Sequence, residues 1–100
     1  MIVEMKKFGT ALSTRASGRR AYDLICSQSN GLSGHIIFDF SDVNIVSNSF
    51  ADELFGRLTY EFGMDAMRDA TSFVGVKPLA ARIIRSAMNA RSTQRGFVTV

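Results

Sequence analysis

A short apolar run in the middle of the chain constrains the fold more than any other feature of the sequence. The run His35–Phe40 reads HIIFDF and lies between Gly34 and the polar pair Ser41-Asp42. A nearly continuous apolar segment of this length, closed by turn residues on both sides, is typical of a strand that is buried on both faces of a parallel sheet. Because parallel strands need long crossover connections, which are usually helices, the run predicts an α/β fold.

Helical and strand patterns alternate with this run along the chain. Further strand patterns occupy Ile2–Met5, Thr71–Val76 and, as a last strand or a frayed tail, Phe97–Val100. Amphipathic helical patterns occupy about Thr14–Ser27, about Phe50–Phe62 and a stretch that begins at Pro78. The alternation predicts a small α/β sandwich with a mainly parallel sheet of three to four strands and three helices. A chain of 100 residues has room for one core, so we expect a single domain over residues 1–100, with residues 92–100 as a tail that can fray.

Local signals predict where the helices begin and which faces they bury. Ser13 or Thr14 suits the N-cap of the first helix, in which Gly18 costs roughly 1 kcal/mol relative to alanine. The pattern Ser49-x-x-Asp52 before an apolar run resembles a capping box at the start of the second helix. The predicted inner face of the third helix consists of Leu79, Ile83, Ala87 and Ala90, widened by Ala80 and Ile84.

The scarcity of cysteine and histidine excludes several classes of site. The chain has one cysteine, one histidine and no tryptophan, whereas a structural zinc site needs about four cysteine or histidine ligands. It contains no glycine-rich phosphate-binding motif and no GxSxG nucleophile motif. Cys26 lies in an apolar context and His35 has no second histidine beside it, so both are interpreted as structural. We therefore expect neither an enzyme nor a bound cofactor or metal.

Other features predict a cytoplasmic protein without membrane association. No apolar run approaches the roughly 18 residues that a membrane helix needs. The N-terminal segment MIVEMKK lacks the pattern of a signal peptide. A lone cysteine cannot form an internal disulfide, which fits a reducing compartment.

Charge is distributed unevenly along the chain. The formal net charge is +3, but residues 1–20 sum to +4, residues 21–70 to −6 and residues 71–100 to +5. The basic ends permit a nucleic-acid hypothesis in which a phosphate backbone is followed by Lys77, Arg82, Arg85, Arg91 and Arg95. No helix-turn-helix, RNA-recognition or zinc signature accompanies them, so nucleic-acid binding is the alternative rather than the leading interpretation.

Two polar turns are the candidate functional segments, because sites in parallel sheets gather at the carboxyl ends of strands. The first turn, Leu12–Arg20, places three arginines and several hydroxyls near a helix N-terminus, which suits an anion. A capped helix with solvated arginines explains the same residues and is preferred. The second turn lies within Asp39–Phe55, where Ser49 is interpreted as the first residue of the capping box. The functional alternative is a regulatory phosphoacceptor at Ser47 or Ser49, and capping is preferred.

The second turn is also rich in carboxylates. Asp39, Asp42, Asp52 and Glu53 resemble a magnesium-type cluster. Against a metal site, Asp42 suits a turn, and Glu53 lies one helical turn before Arg57, with which it forms an i,i+4 pair.

The same segments resemble a known protein family. The stretch Ile36–Val43 reads IIFDFSDV and is followed by SFADELF at Ser49–Phe55. Upstream, Phe8-Gly9 and Leu12–Arg15 belong to the same pattern. Together these motifs resemble the STAS-like domain family over roughly residues 8–90, and FADELF is the most specific of them. More distantly, the chain is similar to STAS domains of the anti-sigma-factor antagonists.

The resemblance implies a STAS-like α/β sandwich and a bacterial signalling role in protein binding rather than catalysis. In the wider STAS class, partners include histidine-kinase-like ATPases, which phosphorylate a serine just before the helix that follows the central strand. On that pattern the phosphoacceptor position falls on Asn48, which cannot be phosphorylated, and Ser49 matches the serine after it. Ser49 and Ser47 therefore stay as the candidate phosphoacceptors.

These observations lead us to expect a non-enzymatic regulatory module that binds a protein partner, such as a histidine-kinase-like ATPase, through the turn and helix around residues 41–55. The expected partner-binding residues are Ser47, Asn48, Ser49, Asp52, Glu53 and Arg15. In this interpretation Asp52 and Glu53 supply acidic contacts to a basic partner surface, while Arg15 either positions Asp52 or binds the partner. Whether the chain forms a homodimer is left open.

Overall fold

The apolar run forms the central strand of a parallel sheet. In the computed structural model, which describes residues 1–96, this strand is β3 (Ile36–Asp39). It lies between β1 (Ile2–Glu4) and β5 (Thr71–Val74), and both pairings are parallel. The predicted α/β class with a parallel sheet is confirmed.

The structure also contains a second, smaller sheet that the sequence pattern does not predict. It consists of the parallel strands β2 (Ala11–Leu12) and β4 (Ile45–Val46), and a 3-10 turn at Met5–Phe8 precedes β2. Strands of two residues are too short to show an alternating pattern. Beside this sheet the N–H of Asn44 donates a hydrogen bond to the carbonyl of Thr10 over 2.8 Å, so the turn after β3 is held against the segment before the first helix.

Helices fill the connections between the strands. The first, α1 (Arg15–Ser29), is capped by the predicted Thr14, whose hydroxyl accepts a hydrogen bond from the N–H of Ser17 over 3.0 Å. Between β4 and β5 lie α2 (Asn48–Ala51), a π-helical segment (Asp52–Gly56), α3 (Arg57–Phe62) and α4 (Met64–Ala70). The first three of these run on without a break, and we call residues 48–62 the central helix. Neither the π-helical segment nor α4 is predicted by the sequence pattern.

The last helix, α5 (Pro78–Gly96), begins at the predicted proline. It extends through residues 92–96, for which the sequence predicts a tail, so this part of the prediction is wrong. The other prediction for this region, a last strand or frayed tail at Phe97–Val100, lies outside the described residues. Within residues 1–96, no helix has both the length and the apolar character that crossing a membrane requires.

The core lies on one face of the larger sheet. Phe38 and Phe73 are register neighbours on β3 and β5, and Phe55 of the central helix packs on Phe38 with ring centroids 5.0 Å apart and planes nearly perpendicular. On the opposite face Ile37 is only half-buried, and its neighbour Ile2 is 66% exposed. The prediction that the central strand is buried on both faces is therefore wrong, because the described helices leave that face uncovered.

The predicted inner face of α5 is confirmed in part. Ala80 and Ile84 are buried, and Ile83 and Ala87 are partly buried against the core. Leu79, which is 65% exposed, and Ala90, which is exposed, lie outside it. Arg91 lies on the same stripe as the buried residues and reaches Asp52 of the central helix. A pattern read from apolar residues alone does not show this polar contact.

Two glycines allow the helices to approach closely. A Cβ atom at Gly18 of α1 would lie 3.0 Å from the Cβ of Glu53 and 3.0 Å from the carbonyl oxygen of Phe50, and one at Gly56 would lie 2.9 Å from the Cγ of Arg91. These distances are well below ordinary carbon contacts of about 3.5–4.0 Å. Gly18, which weakens α1 as an isolated helix, is thus required by the packing of α1 on the central helix.

We predict that Gly18→Ala lowers the free energy of unfolding by about 1–3 kcal/mol, despite the higher helix propensity of alanine. The reason is that the backbone of Phe50 and the Cβ of Glu53 cannot retreat without moving the central helix. Urea denaturation followed by circular dichroism measures the change. Gln28→Ala, on the exposed side of α1, is the control and is expected to stay within about 0.5 kcal/mol of the wild type. A Gly18→Ala protein as stable as this control would contradict the prediction.

Candidate functional site

The candidate site lies where the turn after β3 meets the central helix. Asp39, the last residue of β3, accepts hydrogen bonds from the hydroxyl of Ser41 over 2.7 Å and from its N–H over 2.9 Å, and these bonds lower the pKa of Asp39. Farther along, the N–H of Ser47 donates to the carbonyl of Leu12 over 2.9 Å. The turn is therefore anchored at both ends, and residues 47–49 are placed at the carboxyl end of the strands.

Ser47 is the N-cap of the central helix. Its hydroxyl accepts a hydrogen bond from the N–H of Phe50 over 3.1 Å. The predicted capping box Ser49-x-x-Asp52 is therefore wrong, because β4 ends one residue before Ser47 and the helix begins at Asn48. Both Asn48 and Ser49 are exposed in its first turn, whereas Ser47 is half-buried and engaged in the cap.

Asp52 is bound by arginines from two other helices. Arg91 of α5 grips the carboxylate with both ends of its guanidinium group, from Nε to Oδ1 over 2.7 Å and from Nη2 to Oδ2 over 2.9 Å. Nη1 of Arg15, the first residue of α1, donates to Oδ2 over 3.0 Å. Asp52 therefore links α1 and α5 to the central helix.

Glu53 is bound by arginines of α1 and of the central helix itself. Nη1 of Arg15 donates to its Oε1 over 2.9 Å, and Nη1 of Arg57 donates to its Oε2 over 2.9 Å, which confirms the predicted i,i+4 pair. Nη1 of Arg19 lies 3.8 Å from the same Oε2. The guanidinium carbon of Arg57 also lies 4.7 Å from the ring centroid of Tyr22, a cation–π distance that fixes its position.

We call these side chains together the arginine–carboxylate cluster; its members are Arg15, Arg19, Asp52, Glu53, Arg57 and Arg91. The two acidic members are adjacent in the π-helical segment. A π-helical turn holds more residues than an α-helical one, which alters the directions of successive side chains. The two carboxylates share Arg15 of α1, and Asp52 also binds Arg91 of α5, so the cluster joins three helices at one point.

The arginines keep both carboxylates ionised. The pKa of Asp52 is lowered by its hydrogen bonds from Arg91 and, against the effect of partial burial, from Arg15. For Glu53 burial opposes ionisation, but hydrogen bonds from Arg15 and Arg57 outweigh it and lower the pKa. The same contacts raise the pKa of Arg15 and of Arg91.

Glu53 is the innermost member of the cluster, and Arg15 and Arg19 are the outermost. The side chain of Glu53 is 12% exposed, those of Arg91, Asp52 and Arg57 are 26%, 30% and 32% exposed, and those of Arg15 and Arg19 are 53% and 52% exposed. Four guanidinium groups surround the two carboxylates of the cluster. Two flanking carboxylates balance part of this charge, because Asp23 accepts a hydrogen bond from Arg19 Nε over 3.2 Å and Glu61 accepts one from Arg57 Nε over 3.5 Å.

The other predicted carboxylates lie elsewhere. Asp42 is 3.8 Å from Lys6, and Asp39 is bonded within its own turn. The four carboxylates that resembled a magnesium site therefore do not converge. In the part of the chain that the structure describes, no three aspartate, glutamate, histidine or cysteine side chains are placed to hold a metal ion.

Most of the basic side chains that suggested nucleic-acid binding have hydrogen-bond partners within the folded protein. Lys77 Nζ donates to Asn44 Oδ1 over 2.9 Å, and Arg95 Nη1 donates to the carbonyl of Tyr60 over 2.6 Å. Arg91 belongs to the cluster. These three side chains are less available to a phosphate backbone than their sequence pattern indicates.

Sequence reasoning missed two features of this site. The pairing of Arg91 with Asp52 spans 39 positions, and no local pattern signals a contact at that separation. Ile45 is 57% exposed on β4, and Leu79 is 65% exposed at the start of α5, which packs against β4. Large apolar side chains thus accompany the polar turn on the surface.

Comparison with known proteins gives one match. A family model described as a STAS-like domain of unknown function (DUF4325) matches residues 18–78, which is more than half of the chain. The matched segment contains Asp52, Glu53 and Arg57, whereas Arg15 and Arg91 lie outside it. No curated protein and no solved structure matches the chain.

The cluster predicts how stability depends on pH. Because the pKa of Asp52 is lowered in the folded protein, its stabilising effect is complete above its ordinary pKa of about 3.9 and is lost as the pH falls through the lower folded value. Asp52→Asn is expected to lower the free energy of unfolding at pH 7 by about 1–2 kcal/mol and to lose less stability on acidification from pH ~5 to ~2 than the wild type. Urea denaturation across that range measures both effects.

The matched control for this experiment is Asp65→Asn. The side chain of Asp65 is 97% exposed and lies 3.7 Å from Arg68, so its removal is expected to leave stability and its pH dependence nearly unchanged. Equal acid sensitivity of the Asp52→Asn variant and the wild type would show that the cluster does not couple folding to ionisation.

Proposed function

We propose, from the premise that this chain belongs to the STAS-like domain family, that it is a non-enzymatic regulatory module that binds a protein partner. The observation that carries the proposal is the arginine–carboxylate cluster, which joins three helices and presents guanidinium groups beside the exposed first turn of the central helix. Side chains held in place by several ion pairs suit docking, because a preorganised surface loses less conformational entropy when it binds another protein.

The proposed contact surface, which we call the docking face, combines polar, charged and apolar residues. Its members are Arg15, Arg19, Ile45, Asn48 and Ser49, all of which are exposed. Arginine is enriched in protein interfaces, and an exposed apolar side chain such as Ile45 supplies area that a partner can bury. Asp52 and Glu53 support this face from beneath by holding Arg15 in place.

The charge of the docking face favours an acidic partner surface. The sequence alone suggested that Asp52 and Glu53 contact a basic partner, but both carboxylates are bonded to arginines. The outermost charged groups of the cluster are those of Arg15 and Arg19. Arg19 also pairs with Asp23 over 3.2 Å, but both side chains are more than half exposed, so this pair neutralises Arg19 only weakly. In our proposal these two arginines meet carboxylates of the partner. The family resemblance supports a histidine-kinase-like ATPase as the partner class.

The proposal predicts that Arg19→Glu weakens binding to a purified histidine-kinase-like ATPase from the same organism at least fivefold, because an outer charge of the docking face is reversed. Arg82→Glu makes the same charge change on α5 away from the docking face and is expected to alter affinity less than twofold. Isothermal titration calorimetry measures both. Equal affinities of Arg19→Glu, an Asn48→Ala variant and the wild type would disprove the docking face.

Ser49 is the proposed phosphoacceptor within this face. It is exposed one turn before Asp52, whereas the Ser47 hydroxyl is engaged as the helix cap. A phosphate at a helix N-terminus is electrostatically tolerated, and it would change the charge that the docking face presents.

We predict that incubation with the ATPase and ATP adds a phosphate that is lost in Ser49→Ala and retained in Ser47→Ala, as read by intact-mass spectrometry. Ser47→Ala is expected to lose about 1 kcal/mol of stability with its cap and to stay folded. Incorporation that survives Ser49→Ala, or none in the wild type, would rule out Ser49 as the acceptor.

A further inference from the structure

The larger sheet ends on a strand with an unused edge. β5 is the last strand in the order β1-β3-β5, and among residues 1–96 no strand pairs with its outer side. The carbonyl of Val74 accepts a hydrogen bond from the N–H of Phe40 over 2.9 Å, so Val74 faces β3. Successive residues of a strand present their backbone groups to opposite neighbours, and the N–H and C=O of Phe73 therefore point to the open edge.

A groove runs beside this edge, between α4 and α5. Its volume is about 670 Å³, and its walls are mainly apolar, with Met64, Met67, Phe73, Val76, Ile84 and Met88 among them. Three of these residues are methionines, whose flexible and polarisable side chains adapt to partners of different shape. The groove shares no residue with the docking face.

The charges at the groove have one sign. Arg68 of α4 and Arg85 of α5 are exposed and line it, and none of its lining residues is acidic. Asp65, which lies 3.7 Å from Arg68, is 97% exposed and neutralises it only weakly. The groove is thus an apolar channel with cations on both walls.

We propose that this groove binds an extended, acidic and apolar segment of another protein, which adds to β5 as a fourth strand. The backbone of the segment pairs with the N–H and C=O of Phe73, as in strand addition to an exposed sheet edge. Its apolar side chains enter the channel between α4 and α5, and its carboxylates meet Arg68 and Arg85. A small apolar ligand would use the channel and leave the strand edge unsatisfied, which is why the observations favour a polypeptide.

The probe is a fluorescein-labelled octapeptide of alternating glutamate and leucine residues, titrated with the full chain and followed by fluorescence anisotropy. We expect saturable binding that weakens with salt, and a loss on the order of fivefold in Arg85→Glu. Arg82→Glu makes the same change on the same helix outside the groove and is expected to bind as the wild type does. A peptide with lysine for glutamate, and one N-methylated at alternate residues, are expected not to bind.

Methionine methyl resonances locate the peptide independently of affinity. The signals of Met67 and Met88, which line the groove, are expected to shift, whereas that of Met5, buried elsewhere in the core, is expected to stay unchanged. The proposal is overturned if the acidic peptide does not bind, which is the result expected if another part of the chain fills the groove. It is also overturned if the N-methylated or lysine peptide binds equally well, or if only small apolar compounds shift the methionine signals.

Discussion

The bidentate pairing of Asp52 with Arg91 is the interaction on which the arrangement of the helices depends. It ties the central helix to α5 on the same side of α5 as the buried Ala80 and Ile84. Arg15 extends the same contact to α1. An ion pair that is partly withdrawn from water strongly disfavours states in which one partner is left alone. The cluster therefore acts as a shared anchor, while the aromatic core around Phe55 supplies the apolar burial.

Close helix packing makes this anchor geometrically feasible. Gly18 lets α1 approach the central helix until Glu53 meets Arg15, and Gly56 lets α5 approach until Arg91 meets Asp52. A side chain at either position would hold the helices apart and lengthen the ion pairs. The π-helical segment between them turns two consecutive acids toward two different neighbours. Local features that look unfavourable in an isolated helix thus serve the contact between helices.

The two proposed binding surfaces follow from how the sheet is covered. The carboxyl ends of the strands lead into an exposed turn, while the outer edge of β5 stays open beside a groove. Both surfaces present arginine, yet they rest on different elements. A STAS-like domain of this size can therefore offer one surface for docking and another for strand addition without an enclosed pocket. The two surfaces can be tested separately, because no residue is shared between them.

Local sequence patterns predicted the features that depend on neighbouring residues. These are the apolar run of β3, the Thr14 cap, the helix that begins at Pro78 and the pair of Glu53 with Arg57. They failed for the two-residue strands, the seven-residue α4, the cap at Ser47 and the exposed Leu79 of α5, since these depend on too few residues or on distant ones. The sequence by itself determined the α/β class, the family motif and the presence of two acids near residue 52. Only the tertiary structure decided that these acids lie inside a ring of arginines. The sign of the charge on a surface depends on which charged residues folding brings together. Local periodicity does not reveal a pair of residues 39 positions apart.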